Sequence, residues 1–173
     1  MDQYPRLANI VREAKPDSLE GDAIPYLIEV WLARYSMKTE APDLIETTQH
    51  GCSYIFDVHH QRLVAAWAMS RGRYPGKRDA NRMRRHPQGF GSRYHRGHAI
   101  PHSAGGPTDI NLVPQLGSMN VGAFRMLEKE AVANVGALYF THWIYADASQ
   151  KPASVEQGLL RAGLAPAVSV HFN

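Results

Sequence analysis

The spacing of apolar residues changes at Cys52, and this change constrains the fold more than any other feature of the chain. Within residues 22–37, apolar side chains recur at three- and four-residue steps, which predicts an amphipathic helix. After Cys52, the apolar runs 54–58 and 62–69 flank a short polar turn, which is typical of two paired strands. The chain is therefore expected to join an N-terminal helical part to a sheet.

The other segments extend this pattern. Further helices are expected over residues 5–14 and over residues 118–134, where Ser118 would be the N-cap. Further strands are expected over residues 137–145 and 166–172, whereas residues 153–162 fit a helix or irregular structure. The predicted fold class is α+β, with a small antiparallel sheet and helices packed on it. Residues 1–50 would form a helical N-terminal arm or cap, and residues 51–173 the part that carries the chemistry.

Positive charge is concentrated in one segment of the chain. Ten of the nineteen Lys and Arg residues lie between Arg62 and Arg96, where Asp79 is the only acidic residue. Such a block on a chain of net charge +3 predicts a polyanionic partner. Interleaved aromatic residues favour nucleic acid over a merely solvated basic loop. The residues expected to bind nucleic acid are Arg82, Arg84, Arg85 and Arg93.

The composition predicts a protein made in a reducing compartment. Cys52 is the single cysteine, so no disulfide can form within the chain. No stretch approaches the ~20 apolar residues that a membrane-spanning helix needs. The first residues lack the basic-then-apolar pattern of a secretory signal. A cytoplasmic protein is expected, or an effector made there and delivered to another cell.

Three short segments carry the residues from which a function can be inferred. They are Tyr-His-Arg-Gly-His at residues 94–98, Asn-Leu-Val-Pro-Gln at residues 111–115, and Asn-Val-Gly at residues 120–122. Glu128 follows the third segment, eight residues after Asn120. Taken singly, none of these residues indicates a function, but their order and spacing do.

In that order and spacing, the segments resemble the DNA/RNA non-specific endonuclease family, whose members are ββα-metal or His-Me finger nucleases. The family pattern is Asp-Arg-Gly-His, then Asn-x-x-Pro-Gln, then Asn-x-Gly at a helix start with a Glu later in that helix. The short gap between His98 and Asn111 is similar to that of the compact bacterial toxin-type subgroup. The resemblance extends loosely from about residue 54 to residue 172 and implies a ββα-metal nuclease domain over residues 51–173.

The resemblance implies roles that the side-chain chemistry supports. His98 would be the general base, because a neutral imidazole can take a proton from water near neutral pH. Arg96 would hold a phosphate oxygen, and Asn111 would fix the loop or the orientation of His98. Asn120 would bind Mg²⁺ or Mn²⁺ through its amide oxygen, and Glu128 would contact the ion through a metal-bound water.

The implied activity is a divalent-metal-dependent endonuclease acting on DNA, RNA or both, largely without sequence preference. The subgroup further implies an antibacterial toxin or a defence effector. An immunity or regulatory protein that covers the basic cleft is the expected protein partner.

The first segment departs from the family pattern at one position. His95 stands where the family usually has Asp, so the support that an acid would give to the neighbouring arginine is in doubt. His95 and His98, with His86 and His102, could alternatively form a zinc site. Gly97 is expected to permit a tight turn and to keep the His98 ring accessible.

Two other functions remain open. A non-catalytic nucleic-acid-binding module would explain the basic segment, but it has no need for His98, Asn120 and Glu128 together. An HNH-type nuclease with sequence preference usually has a histidine late in its metal-binding helix, and residues 118–134 contain none.

Overall fold

The computed structural model describes residues 3–77, 81, 83, 86, 87 and 89–173, and the fold of this part is α+β. The helices are α1 (Leu7–Glu13), α2 (Leu19–Ser36), α3 (Gly117–Val121) and α4 (Ala123–Ala133). The strands are β1 (Leu44–Gln49), β2 (Cys52–Asp57), β3 (Arg62–Met69), β4 (Tyr94–His98), β5 (Leu112–Leu116), β6 (Leu138–Ile144), β7 (Ser154–Leu160) and β8 (Ala167–Phe172). None of the described helices has both the length and the apolar character that crossing a membrane requires.

Six of the strands form one antiparallel sheet in the order β1-β2-β3-β6-β7-β8. Strands β4 and β5 pair with each other in a separate two-stranded antiparallel sheet. The strands predicted over residues 54–58, 62–69, 137–145 and 166–172 are confirmed as β2, β3, β6 and β8. Consecutive strands mostly pair as neighbours, but the chain leaves the large sheet after β3 and returns to it at β6.

The N-terminal helices cover one face of the large sheet. Trp31 of α2 packs against Trp67 of β3 and Phe140 of β6, with ring centroids 6.0 and 5.4 Å away. These residues belong to one apolar core that the helices and the sheet share. Residues 1–50 thus contribute two helices and also the edge strand β1, which pairs with β2 along its whole length.

A buried cluster of charged and polar groups lies between these helices and the sheet. The Glu156 carboxylate accepts hydrogen bonds from Arg34 at 2.6 and 3.0 Å, from His142 Nδ1 at 2.9 Å, and from the Tyr4 hydroxyl. Burial by itself would raise the pKa of Glu156, but the hydrogen bonds from His142 and Arg34 outweigh it and hold the pKa at about 2. Burial lowers the pKa of His142, which therefore donates as a neutral imidazole at pH 7.

The opposite face of the sheet carries β4, β5, α3 and α4. Side chains alternate along a strand, so Trp143 points away from the face that Phe140 occupies. There its ring lies 6.3 Å from that of Phe124 in α4. Gln157 of β7 donates to the Phe124 carbonyl at 2.8 Å. The large sheet therefore separates the N-terminal helices from the layer that holds the motif residues.

One predicted element was of the wrong type, and another was right in type but is divided. Residues 153–162, expected to be helical or irregular, contain β7, whose residues are all buried between β6 and β8. The single helix expected over residues 118–134 is divided at Gly122 into α3 and α4. Ser118 is not an N-cap, because α3 begins at Gly117 and its N-cap position is Leu116.

Candidate active site

Strands β4 and β5 bring Arg96 and His98 to one side of a hairpin. The register pairs Arg96 with Pro114 and His98 with Leu112. Because side chains alternate along a strand, residues 96 and 98 share one side and residues 95 and 97 the other. Arg96 is half-buried, and His98 ends the strand, where the loop of residues 99–111 begins. This placement allows a cation and an imidazole to act on the same group.

His98 is more enclosed than its sequence context suggested. Its side chain is buried, with the residue 4% exposed, so the expectation of an accessible imidazole was wrong. Its backbone carbonyl accepts a hydrogen bond from the Gln115 amide at 3.2 Å, and its ring centroid lies 6.1 Å from that of His102. A general base needs one water within hydrogen-bond reach rather than a broad opening, so burial is compatible with that role.

Gly97 has a different structural role from the one expected. It lies within β4 and is not among the glycines with positive φ, so it forms no tight turn. A Cβ at this position would lie 2.0 Å from Cδ of Gln115. Glycine is therefore required because the Gln115 side chain occupies the space beside it, and Gln115 in turn holds the backbone of His98.

Asn111 fastens the loop that follows His98. Its Oδ1 accepts from the Ile100 amide at 2.7 Å, while its Nδ2 donates to the carbonyls of Ile100 at 2.7 Å and Pro107 at 3.0 Å. The side chain is fully buried. Gly106 is required nearby, since a Cβ there would lie 1.9 Å from the Ile100 carbonyl oxygen. These contacts make Asn111 a positioning residue, in line with the loop-fixing role expected for it.

The residue proposed as a metal ligand, Asn120, lies on α3, which packs against both β4 and β5. The side chain is half-buried, and its amide forms no hydrogen bond with any described residue. An amide oxygen that accepts no hydrogen bond can bind a cation, and a neutral oxygen ligand suits Mg²⁺. The contrast with the fully engaged amide of Asn111 makes Asn120 the motif asparagine that fits a cation.

Glu128 lies on α4, on the other side of the break at Gly122. The backbone of Gly122, with φ −95° and ψ −127°, is not helical. Asn120 and Glu128 therefore do not lie on one continuous helix. Burial, and next the negative charge of Glu128, raise the pKa of Tyr139 in β6. The half-buried carboxylate thus lies within electrostatic range of the sheet.

The residues expected to bind nucleic acid lie in and around the basic segment between Arg62 and Arg96. Arg82, Arg84 and Arg85 lie outside the described residues, whereas Arg93 is exposed just before β4. The first residue of the block, Arg62, is not on the surface: it is buried, with Nη1 donating to the Asp147 carbonyl at 2.7 Å. Arg62 therefore has a structural role and does not belong to a phosphate-binding surface.

The zinc alternative finds no support in the described part of the chain. His95 lies on the opposite side of β4 from His98, and its ring packs near Gly117 and 5.8 Å from the ring of His86. Among the described residues, no three His, Cys, Asp or Glu side chains form a group that could hold a metal ion. The imidazoles are distributed over both sides of the hairpin instead of converging on one point.

Sequence patterns missed two residues that hold this layer together. Gln115 was noted only as part of a motif, yet it contacts both Gly97 and His98. Asn173 accepts from the Leu116 amide at 2.7 Å and donates to the carbonyls of Pro114 and Pro152 at 2.9 and 2.8 Å. Asn173 thereby joins β5 to the chain around β7 and β8, a contact that no local pattern indicates.

No model of a known protein family matches the chain, and no curated protein matches it. The inference about function therefore depends on the motif residues and on their arrangement. Three features contribute: the shared side of Arg96 and His98, the loop held by Asn111, and the Asn120 amide, which forms no hydrogen bond with any described residue.

Proposed function

We propose that this protein is a divalent-metal-dependent, largely sequence-non-specific endonuclease that hydrolyses phosphodiester bonds of DNA, RNA or both. The observation that carries the proposal is the order of elements: strand β4 ends in His98, strand β5 pairs with it, and a helix bearing Asn120 follows and packs on both. Two paired strands followed by a helix are also the order expected of a ββα-metal motif, and this supports the proposal. The resemblance of the sequence supports the same function.

In the proposed reaction, His98 accepts a proton from the attacking water. Arg96, on the same side of the hairpin, offers its guanidinium to a phosphate oxygen. Gln115 holds the carbonyl of His98, Asn111 holds the amide of Ile100 two residues later, and together they fix the backbone that carries the His98 ring.

Asn120 would bind the metal ion directly, and Glu128 would contact the ion through a metal-bound water. When bound, Mg²⁺ or Mn²⁺ would neutralise charge on the phosphate and stabilise the leaving oxygen. An antibacterial toxin or defence effector, with an immunity protein as partner, is the role that the compact toxin-type motif supports.

The proposal is tested by digesting plasmid, single-stranded DNA and RNA with Mg²⁺, Mn²⁺ or a chelator, while metal binding is measured by calorimetry. We expect cleavage only with metal. His98→Ala should lose roughly 10²–10⁴-fold or more in rate while still binding metal. Asn120→Ala should also be inactive but with weaker metal binding, so that more Mn²⁺ restores part of the rate.

Glu128→Ala should be impaired about 10- to 100-fold, as is typical when a group outside the first ligand shell is removed. Full activity in chelator would contradict the metal requirement. Activity in His98→Ala, or loss of metal there but not in Asn120→Ala, would contradict the assigned roles. Binding of nucleic acid without cleavage under every condition would favour a non-catalytic binding module.

A further inference from the structure

A half-open pocket of about 170 Å³ lies close to His98, and no step of the proposed reaction uses it. Tyr74, Lys77, His50 and His102 contribute to its lining, together with residues 105–109. His102 connects the pocket to the proposed general base, since its ring centroid is 6.1 Å from that of His98 and 5.6 Å from that of Tyr74. His102 therefore borders both the pocket and His98.

The Tyr74 ring is held in place yet remains accessible. Its backbone amide donates to the Ser103 carbonyl at 2.8 Å, and its ring meets His102 edge to face. The chain turns back against the ring at Gly76, where a Cβ would lie 2.2 Å from Cε1 of Tyr74. Tyr74 is nevertheless 47% exposed. A fixed, exposed aromatic ring is the kind of surface on which a nucleobase stacks.

The charges around the pocket indicate which part of a nucleotide it fits. Asp109 and Lys77 both line the pocket and both are exposed, so the lining carries charge of both signs and not mainly the positive charge that would draw a phosphate inside. Lys77 offers a cation to a phosphate that lies beside the bound base. At about 170 Å³ the pocket is smaller than the roughly 300–1,000 Å³ of sites that enclose whole drug-sized ligands, so it suits a single ring system.

We infer that this pocket, the Tyr74 pocket, binds one unstacked nucleobase beside the phosphate that is cleaved at His98. The inference rests on the proposed nuclease function and specifies its substrate class. A base in a duplex is paired and stacked, and it must be extruded before it can enter a protein pocket. A base in a single strand meets little such cost, so the protein prefers single-stranded over double-stranded nucleic acid.

The test measures binding and cleavage of a fluorescent single strand and of the duplex with its complement. Binding is measured by anisotropy in the His98→Ala background, so that the substrate stays intact. Tyr74→Ala should weaken binding of the single strand about 5- to 150-fold, the range expected for losing one stacked base, and should leave duplex binding nearly unchanged. Tyr74→Phe keeps the ring and should bind like the parent.

Lys77→Ala and Lys15→Ala form a matched pair, since each removes one exposed cation. Lys15 lies between α1 and α2, on the face of the sheet opposite to the hairpin layer. Only Lys77→Ala should weaken binding of the single strand. Equal effects of both substitutions would show that net charge, and not the rim of the pocket, is responsible.

A photocrosslink supplies a readout that does not depend on a Tyr74 variant folding. A single strand containing 5-iodouracil is irradiated with the His98→Ala protein, and the crosslinked peptide is identified by mass spectrometry. Attachment at Tyr74 is expected, and attachment only at other residues would overturn the inference. An active wild-type enzyme whose Tyr74→Ala variant binds single strands normally would also overturn it, while the nuclease function would stand. A wild-type protein that cleaves no nucleic acid would instead contradict the proposed function itself.

Discussion

Replacing Asn111 with alanine should both destabilise the protein and disable the proposed active site. The substitution removes three hydrogen bonds, two to Ile100 and one to Pro107. Each such bond contributes about 1 kcal/mol net, so the loss should be about 3 kcal/mol. The loss of stability would be larger if the buried Ile100 amide found no new hydrogen-bond acceptor. In a chain of 173 residues, this corresponds to a decrease in Tm of about 6–12 °C.

The assay is thermal unfolding followed by circular dichroism, with a urea titration to obtain the free energy of unfolding. Asn9→Ala is the matched control, because Asn9 is exposed on α1 and its loss should cost no more than about 0.5 kcal/mol. Asn111→Asp should be at least as damaging as Asn111→Ala, since it turns a carboxylate oxygen toward two carbonyl oxygens. An Asn111→Ala protein that melts within the error of the wild type would refute the proposed fastening of the loop.

Two further predictions concern charge. Replacing Arg82, Arg84 and Arg85 together with alanine should weaken binding to every nucleic-acid sequence tested and make the slope of log affinity against log salt shallower; an unchanged slope would show that these residues form only a solvated loop. The free energy of unfolding should fall on acidification. A carboxyl group whose pKa is lower in the folded state than in the unfolded state stabilises the fold fully above its unfolded pKa. This stabilisation is lost as the pH falls through the folded pKa. For Glu156, a decrease in pKa from 4.5 to about 2 corresponds to about 3 kcal/mol, lost between about pH 4.5 and pH 2. The lowered pKa of His142 adds a loss that starts below about pH 6.5. Urea titrations at several pH values should show both losses, and a Glu156→Gln protein that keeps the full decrease below pH 4.5 would exclude Glu156 as its cause.

The sequence predicted those strands that have one apolar face or dense β-branched and aromatic residues. It missed β1 (Leu44–Gln49), which lies within the part expected to be a helical arm. It also failed at β7, where Glu156 and Gln157 stand in the middle of an interior strand. Both faces of β7 are covered, so the alternation that marks a half-exposed strand is absent. Two adjacent polar residues then suggest a helix or loop. Their hydrogen-bond partners, Arg34 and Phe124, are far away in sequence, so the pattern around residue 156 gave no sign of them.

For the candidate site too, the sequence predicted some features and missed others. The motif spacing singled out His98, Arg96, Asn111 and Asn120 as candidates, and the structure places His98 and Arg96 on one side of the hairpin. What the spacing could not supply was the burial of His98 or the packing of Gln115 against Gly97, because both depend on pairing between β4 and β5. The division of the helix at Gly122 was missed because a single glycine is compatible with either one helix or two.

The position of the large sheet between two layers has a practical consequence for spectroscopy. Trp31 and Trp67 lie together on the side of the N-terminal helices, whereas Trp143 lies on the side of α4, beside Phe124. A protein that retains only Trp143 would therefore emit fluorescence from the layer that holds the hairpin, and a protein that lacks only Trp143 would report on the opposite layer. Comparing the fluorescence of the two proteins would reveal whether the structural effect of binding metal or nucleic acid is confined to one side of the sheet.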